Sequence, residues 1–289
     1  MTPLRQRMIE ELQRHNYSQA TIEAYIFSVK DYAEYFHKSP ALLGAEEVRQ
    51  YQLHLMNDKK LAAQTVKVRM SALRFFYWKT LKRRDIYFDD LPLPKTPKRL
   101  PTVLSPEEIV RLIEAASSLM HRTILILLYA TGIRRAELRW LKLSDIDSKR
   151  MVIHIEQGKG RRDRDIPMTP MVLKVLREYW QHAKSKVYLF SSPQIANEPI
   201  SSKTVWNVVH EAAVRAGLTK RIGPHTLRHS FATHHIEGGT DLLVLQSLLG
   251  HAELKNTLVY IHLSQHRMRA AVNPLDRLTL QSPTQDFQS

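Results

Sequence analysis

The stretch GPHTLRHSFATHH, residues 223–235, says more about the fold and chemistry of this chain than any other part of it. Gly223 and Pro224 stand at the start of a run with helical spacing, which predicts that a helix begins there. His225 and Arg228 are three residues apart and share one face of that helix. An imidazole beside a guanidinium at a helix N-terminus forms a cradle for phosphate, so we expect an anion site here.

The histidines of the same stretch allow a second interpretation, a metal site. His225 and His229 have the i, i+4 spacing of zinc ligands on a helix. Metalloprotease chemistry also requires a Glu after the first His, and Thr226 occupies that position. We therefore expect no metal ion, and we interpret His229, His234 and His235 as packing or surface groups.

The segment ATGIRRAELRWL, residues 130–141, holds another candidate arginine. Its Thr-Gly pair predicts that one helix ends and a second begins, with Arg134 in the first turn of the second helix. Glu137 follows three residues later on the same face and can hold the guanidinium. A simple surface ion pair would give the same spacing, so this segment alone leaves both interpretations open.

Two more segments complete the set of candidates. Alternating apolar residues on both sides of a Gly-Lys-Gly turn, which contains Lys159, predict a small β-hairpin or three-stranded sheet. In LLGHAELKNTLVYIH, residues 248–262, His251 follows a glycine and Tyr260 lies in a short helix. Considered alone, Tyr260 is expected to be a core residue with a bonded hydroxyl.

Taken together, two arginines, two histidines, a lysine and a tyrosine match the needs of transesterification at a phosphodiester without a metal ion. A tyrosine oxygen is a competent nucleophile once a base takes its proton, because its ordinary pKa is ~10. Two guanidinium groups can clamp the non-bridging oxygens, and a lysine on a hairpin turn can protonate the leaving 5′-oxygen. The candidate catalytic residues are Arg134, Lys159, His225, Arg228, His251 and Tyr260, with Glu137 as an accessory acid.

Composition favours a folded protein with a polyanionic partner. Of the 289 residues, 43 Lys and Arg against 28 Asp and Glu leave a formal charge of +15. A field of this sign favours nucleic acid. An anionic membrane surface is the weaker alternative, because the basic residues are spread through both halves of the chain instead of forming one amphipathic segment.

Two further features of the composition exclude other classes of protein. The chain has no Cys, which excludes disulfides, thiolate-zinc sites and a cysteine nucleophile. Its longest apolar stretch, residues 124–130, is too short to span a bilayer, and the first residues lack the apolar region of a signal peptide. We expect a cytoplasmic protein that associates with the nucleoid.

The proline-rich segment LPLPKTPKRLPTVLSP, residues 91–106, divides the chain. Four runs with helical spacing precede it and predict a helical bundle over residues 1–94. Residues 95–104 are expected to be a basic linker, residues 105–280 a catalytic domain that is mainly helical with a small sheet, and residues 281–289 a flexible polar tail.

Several basic residues are candidates for contacts with phosphates. The basic residues of the linker suit an extended segment that crosses a nucleic-acid backbone and contacts its phosphates. An ordinary interdomain linker would have the same composition. Basic residues at the end of the fourth helical run also suit the helix dipole. The candidate DNA-binding residues are Lys82, Arg83, Lys95, Lys98, Arg99, Arg161 and Arg162.

The motifs in their order resemble those of the tyrosine recombinases, the phage-integrase and Xer group. The T-G-x-R-x-x-E-L context gives Arg134, the G-K-G turn gives Lys159, and the H-x-L-R-H box gives His225 and Arg228. The L-G-H box and the T-x-x-Y pattern supply the remaining two positions, His251 and Tyr260. The segments YSQATIEAYIFSVKDYAEYF and QTVKVRMSALRFFYWKTL resemble, less specifically, the helical SAM-like core-binding domain of that family.

The resemblance implies a site-specific recombinase in which Tyr260 forms a 3′-phosphotyrosyl link and strands are exchanged through a Holliday junction. It implies no cofactor and no ATP, because the bond energy is conserved. It also implies that Arg134 and Arg228 clamp the phosphate, that His225 handles the tyrosine proton, and that Lys159 protonates the leaving oxygen.

The implied partners are duplex DNA with short inverted-repeat core sites and a tetramer of this chain. The tetramer would form through the segment after residue 262, where Met268, Ala271, Val272 and Leu275 offer an apolar face. Whether a second recombinase takes part is left open. Three rival functions are a type IB topoisomerase, a DNA-binding protein without catalytic activity and a metal-dependent nuclease.

Overall fold

A computed structural model describes residues 2–86, 88, 91–94, 100–156, 163–195 and 197–263. The chain divides into two compact units, Met1–Arg99 and Leu100–Ser289. Some of the predicted features lie outside the described residues: Lys95, Lys98, Arg99, Lys159, Arg161, Arg162, the apolar face after residue 262 and the tail 281–289. No helix in the described ranges is long and apolar enough to cross a membrane.

The first unit is helical, as the sequence predicts. Its helices are α1 (Pro3–Arg14), α2 (Gln19–Phe36), α3 (Ala45–Asn57) and α4 (Ala63–Phe75), and α4 continues into a π-helical turn, Phe76–Thr80. Ser18 caps α2 by accepting a hydrogen bond from the backbone N–H of Thr21. The apolar stripes of these helices meet in one core, where Tyr32 and Tyr77 are fully buried and their hydroxyls lie 3.3 Å apart.

The second unit contains eight α-helices, one short 3-10 helix (Leu143–Asp145) and three strands within the described residues. They are α5 (Pro106–Glu114), α6 (Leu119–Thr131), α7 (Arg135–Trp140), β1 (Ile146–Asp147), β2 (Val152–Ile155), β3 (Arg164–Pro167), α8 (Pro170–Ala183), α9 (Ser202–Arg215), α10 (Pro224–Glu237), α11 (Leu242–Leu249) and α12 (Lys255–Leu263). The strands form an antiparallel sheet in the order β1-β2-β3. The predicted fold class, mainly helical with a small sheet, is confirmed.

Helix α10 lies between two apolar cores of this unit. Leu227 belongs to the larger core, to which α6, α8 and α9 also contribute, while Phe231 and Ile236 belong to a smaller core that includes Tyr260. Because α10 is packed on both sides, the hydroxyl of Ser230 finds its partners inside the protein: it donates to the carbonyl of Thr226 and accepts the N–H of Leu104. Leu104, expected in the linker, is fully buried in the larger core.

The end of α6 depends on a glycine. Gly132 caps the helix with φ of +60°, in the left-handed region that only glycine adopts at little cost. A methyl group at this position would also overlap the ring of Phe231 on α10. The Thr-Gly break predicted from the sequence is therefore both a turn and a point of close packing between α6 and α10.

We expect Gly132→Ala to destabilise the second unit by about 2–5 kcal/mol, the sum of the left-handed backbone penalty and an overpacking penalty. Gly217→Ala is the matched control, because Gly217 has φ of +65° but nothing within 4 Å of an added methyl group. That variant should lose only about 1–2 kcal/mol. Urea denaturation of both variants tests this, and equal losses would contradict the packing argument.

Candidate active site

The hydroxyl of Tyr260 lies at the centre of the candidate site. Tyr260 is in α12 and only 3% exposed. Its hydroxyl oxygen is 3.1 Å from Nδ1 of His229 on α10. The ring of His251 lies nearly parallel to the Tyr260 ring, with an interplanar angle of 11° and centroids 6.3 Å apart. The tyrosine is therefore held between residues from α10 and from the segment after α11.

Burial and positive charge act on Tyr260 in opposite directions. Burial raises the pKa of its hydroxyl above the ordinary value, while the charges of Arg228 and Arg134 and a hydrogen bond from Arg228 lower it. The raised pKa keeps the resting tyrosine protonated at neutral pH. A tyrosine in this state could act as a nucleophile only with a group that accepts its proton.

Three guanidinium groups converge on consecutive carbonyls at the end of α11. Nε of Arg164 donates to the carbonyl of Leu248 at 2.7 Å, Arg228 donates to Leu249 at 2.7 Å, and Arg134 donates to Gly250 at 3.2 Å. These carbonyls are unpaired within a helix and carry the negative end of its dipole, which favours cations. The end of α11 thus gathers arginines from the segment before α7, from β3 and from α10.

Glu137 links two of these arginines. Its carboxylate accepts from Arg134 at 2.7 Å and from Arg164 at 2.8 Å, and it also accepts the backbone N–H of Arg134 at 2.8 Å. Burial alone would raise the pKa of this carboxyl, but the two guanidinium groups lower it to about 2. Arg134 is the N-cap residue of α7, one position before the helical turn in which the sequence predicted it.

Arg228 is the most deeply buried of the three arginines that point at α11. It is 3% exposed, and it donates to the carbonyl of Gly132 at 2.5 Å as well as to Leu249. Burial and the charge of Arg134 lower its pKa to about 10, which leaves it cationic at neutral pH. A phosphate in this region would meet the positive charges of Arg134 and Arg228 together.

The histidines of the site are neutral at pH 7. Burial and the nearby arginines lower the pKa of His225, and burial lowers the pKa values of His229 and His251 to about 4. His251 shares a hydrogen bond of 2.9 Å with Thr257. His225 lies one turn before His229 on α10, and their ring centroids are 6.4 Å apart.

The structure thus brings together six of the seven residues selected from the sequence as catalytic or accessory. These six are Arg134, Glu137, His225, Arg228, His251 and Tyr260, and the seventh, Lys159, lies outside the described residues. Glu137 holds the guanidinium of Arg134, as its spacing suggested. Tyr260 also has the bonded hydroxyl expected of an ordinary core tyrosine, so its surroundings, and not its burial, mark it as a candidate nucleophile.

Sequence reasoning missed two residues of this site. His229, interpreted as a packing or surface group, contacts the Tyr260 hydroxyl; its position one turn after His225 was the available signal. Arg164, which was not selected, is 7% exposed and joins β3 to Glu137 and α11. His234 and His235 agree with the earlier interpretation, since they bond to Tyr129 and Thr240 instead.

Two candidate DNA contacts in the first unit have different surroundings. Lys82 is exposed. The guanidinium of Arg83 is engaged within the unit, by the Asp85 carboxylate at 2.6 Å and by the carbonyls of Ala41 and Leu43 at 2.9 Å each. Within the ranges described above, no group of three or more His, Asp or Glu side chains is arranged to hold a metal ion.

Comparison with known proteins gives the class of this chain. Residues 102–267 match the Phage integrase family, and residues 4–85 match the N-terminal SAM-like domain of phage integrases. The y4qK protein of Sinorhizobium fredii, described as an integrase/recombinase, is 41% identical over 98% of this chain and 92% of its own length. Tyrosine recombinase XerC of Halalkalibacterium halodurans is 31% identical, over 88% of this chain and 90% of that protein.

Solved structures agree with these relatives. The crystal structure of XerA recombinase is 31% identical and covers 92% of this chain and 95% of its own, with a TM-score of 0.55. A lambda integrase dimer bound to a COC′ core site shares the fold, with a TM-score of 0.71 at 21% identity over 92% of this chain and 77% of that one. The chain belongs to the phage integrase family of tyrosine recombinases. It is an enzyme of site-specific DNA recombination.

We expect Glu137→Gln to lower the free energy of unfolding by about 3 kcal/mol at pH 7, because it leaves Arg134 and Arg164 without their shared carboxylate. The carboxyl has its pKa lowered from 4.5 to about 2 in the folded protein, so the stability it contributes is complete above pH 4.5 and lost as the pH falls toward 2. The deficit of the variant should therefore shrink over this pH range. Urea denaturation at a series of pH values measures it, and a constant deficit would contradict the role of the charge.

Proposed function

We propose that this recombinase cleaves one DNA strand by attack of Tyr260 on the scissile phosphate, with a 3′-phosphotyrosyl link as the intermediate. One observation carries the proposal: the Tyr260 hydroxyl lies among Arg134, Arg228 and three neutral histidines in one buried cluster. An ordinary core tyrosine needs one partner for its hydroxyl. It does not need two cationic groups that lower its pKa.

The two arginines are assigned to the phosphate. Arg134 and Arg228 bind the non-bridging oxygens and offset the charge that develops as the tyrosine oxygen attacks. Both guanidinium groups already donate to carbonyls of α11, which fixes their planes before substrate binds. His251, whose orientation Thr257 restrains, donates a further hydrogen bond to the phosphate. Glu137 and the carbonyl groups thus organise the site in advance.

Protonation of the leaving group is assigned to a lysine in the segment between β2 and β3. Lys159 stands between β2 and β3 in the sequence, and we propose that it protonates the 5′-oxygen as the P–O5′ bond breaks. The free 5′-hydroxyl of a partner strand then attacks the phosphotyrosyl link and restores the tyrosine. Bond energy is conserved, so the cycle consumes no ATP.

The proposed substrate is duplex DNA with short inverted-repeat core sites. The net charge of +15 supports this polyanionic partner. We further propose that four copies of the chain assemble on two such sites in the cytoplasm, on nucleoid DNA, through the segment after residue 262. Exchange of strands in pairs then passes through a Holliday junction, and a second recombinase is a candidate partner in that assembly.

Tyr260→Phe should abolish covalent attachment to DNA and leave DNA binding unchanged, because only the hydroxyl oxygen is removed. The measurement is incubation of both proteins with nicked, labelled candidate-site duplex in EDTA, followed by a denaturing gel. Adduct from the variant would move the nucleophile elsewhere. Binding without adduct from either protein would favour a DNA-binding protein without catalytic activity, and EDTA-sensitive cleavage would favour a nuclease.

Arg134→Lys should reduce the single-turnover rate of adduct formation by about 10²–10³-fold, as for loss of one donor to the transition state. A lysine keeps the charge but cannot bridge Glu137, Gly250 and a phosphate at once. Arg215→Lys is the matched control, because its guanidinium donates to the carbonyl of Ala115. Equal rates for the two variants would remove Arg134 from the proposed clamp.

A further inference from the structure

We propose that His229 is the base of this active site: its Nδ1 holds the Tyr260 hydroxyl and receives the hydroxyl proton when the tyrosine oxygen attacks. The proposal rests on the function proposed above, in which Tyr260 is the nucleophile. It replaces the assignment of the tyrosine proton to His225, which the resemblance to the family implied. It also gives a role to the residue that links α10 to α12 at the hydroxyl itself.

The acceptors around the hydroxyl set the direction of the hydrogen bond. Nδ1 of His229 lies 3.1 Å from the tyrosine oxygen. The guanidinium groups of Arg228 and Arg134, whose charges also act on this hydroxyl, carry donors alone. Among these groups the acceptor for the hydroxyl proton is therefore Nδ1 of His229, in the tautomer that carries its own proton on Nε2.

The other two imidazoles of the site are less well placed for this proton. Nδ1 of His251 is engaged by Thr257 at 2.9 Å, and the ring of His251 lies parallel to the tyrosine ring instead of facing its oxygen edge-on. The ring of His225 is tilted by 35° from the ring of His229, with 6.4 Å between centroids, and lies on the side of α10 toward the helix N-terminus. Among the described residues, His229 is the imidazole in hydrogen-bond contact with the hydroxyl.

The charges around His229 explain why the proton stays on the tyrosine until DNA is bound. His229 faces His225 and Arg228 on its own helix and Tyr260 on α12, and His251 lies beyond the tyrosine ring. Burial, His225 and Arg228 together disfavour the imidazolium form of His229. A phosphodiester held by Arg134 and Arg228 brings a negative charge beside the same ring, which favours the imidazolium. Substrate binding therefore strengthens the base.

The step balances in atoms and charge. The O–H bond of Tyr260 breaks, its electron pair forms the bond to phosphorus, and the proton moves to Nδ1 of His229. The P–O5′ bond breaks, and the departing oxygen takes a proton from the leaving-group acid. In the rejoining step the incoming 5′-hydroxyl gives its proton back to that acid as its oxygen bonds to phosphorus. The bond from phosphorus to the tyrosine oxygen breaks and His229 returns its proton to that oxygen, so both groups are restored without a co-reactant.

The central variant is His229→Asn. Asparagine places an amide oxygen near the position of Nδ1 and can accept the hydrogen bond, but it cannot take a proton at neutral pH. Its adduct formation on nicked duplex in EDTA should be slower by about 10²–10⁴-fold, the usual contribution of a general base. His235→Asn is the matched control, because His235 lies on the same helix and makes the same kind of bond, from Nδ1 to the Thr240 hydroxyl at 2.9 Å. Its rate should equal that of the wild type.

A second measurement separates a base from a merely structural contact. His229→Ala should regain activity in added imidazole, in proportion to the free-base concentration, whereas a variant that had lost its fold would not. A third measurement tests whether His229 accepts the tyrosine proton or instead donates a proton to the leaving group. It uses a substrate with sulfur in place of the bridging 5′-oxygen, because a sulfur leaving group needs no proton. This substrate should not restore the rate of His229→Asn.

The outcomes are distinct for the two proposals. A wild-type rate for His229→Asn, or its restoration by the sulfur substrate, would overturn the assignment of His229 as the base. Adduct formation by the wild type and its loss in Tyr260→Phe would still support the proposed function in that case. Absence of any adduct from the wild type would instead reject the proposed function itself.

Discussion

The end of α11 is the point on which the candidate active site depends. A helix terminus leaves carbonyls unpaired, and burying them without donors would cost several kcal/mol. Here three carbonyls in succession, those of Leu248, Leu249 and Gly250, receive guanidinium groups from three separate parts of the unit. The same bonds that satisfy the helix fix the arginines, and Glu137 locks two of them to each other. The same hydrogen bonds therefore stabilise the end of α11 and hold the arginines of the candidate site in place.

This dual use changes how the effects of mutations must be interpreted. Arg228 is buried and bonded to the carbonyls of both Gly132 and Leu249, so its removal would leave acceptors from the ends of α6 and α11 unpaired. Loss of activity in such a variant would mix catalytic and structural effects. Arg134 is more accessible, with 21% of its side chain exposed, so the proposed effect of its substitution on the reaction is easier to separate from an effect on folding. Asparagine at position 229 serves the same purpose, because it keeps a bond acceptor in place.

The sequence predicted those features of the fold and the site that depend on residues close together in the chain. The helices, the small sheet and the pairing of Arg134 with Glu137 follow from periodicity, capping residues and the i, i+3 rule. The contacts of Arg164 and His229 do not, because they join residues that are 84 and 31 positions apart in the chain. An arginine within a strand carries no local signal for partners on other elements. The position of His229 one turn after His225 indicates a shared helix face, but not the tyrosine on α12 that it contacts. The π-helical turn after α4 was also invisible, since it continues an ordinary helical pattern.

The bond between the N–H of Leu104 and the hydroxyl of Ser230 has a mechanical meaning. Ser230 directly follows His229, and Leu104 lies where the chain enters the second unit. A displacement of Leu104 would therefore pass through this single bond to the residue next to His229, whose imidazole contacts the tyrosine hydroxyl.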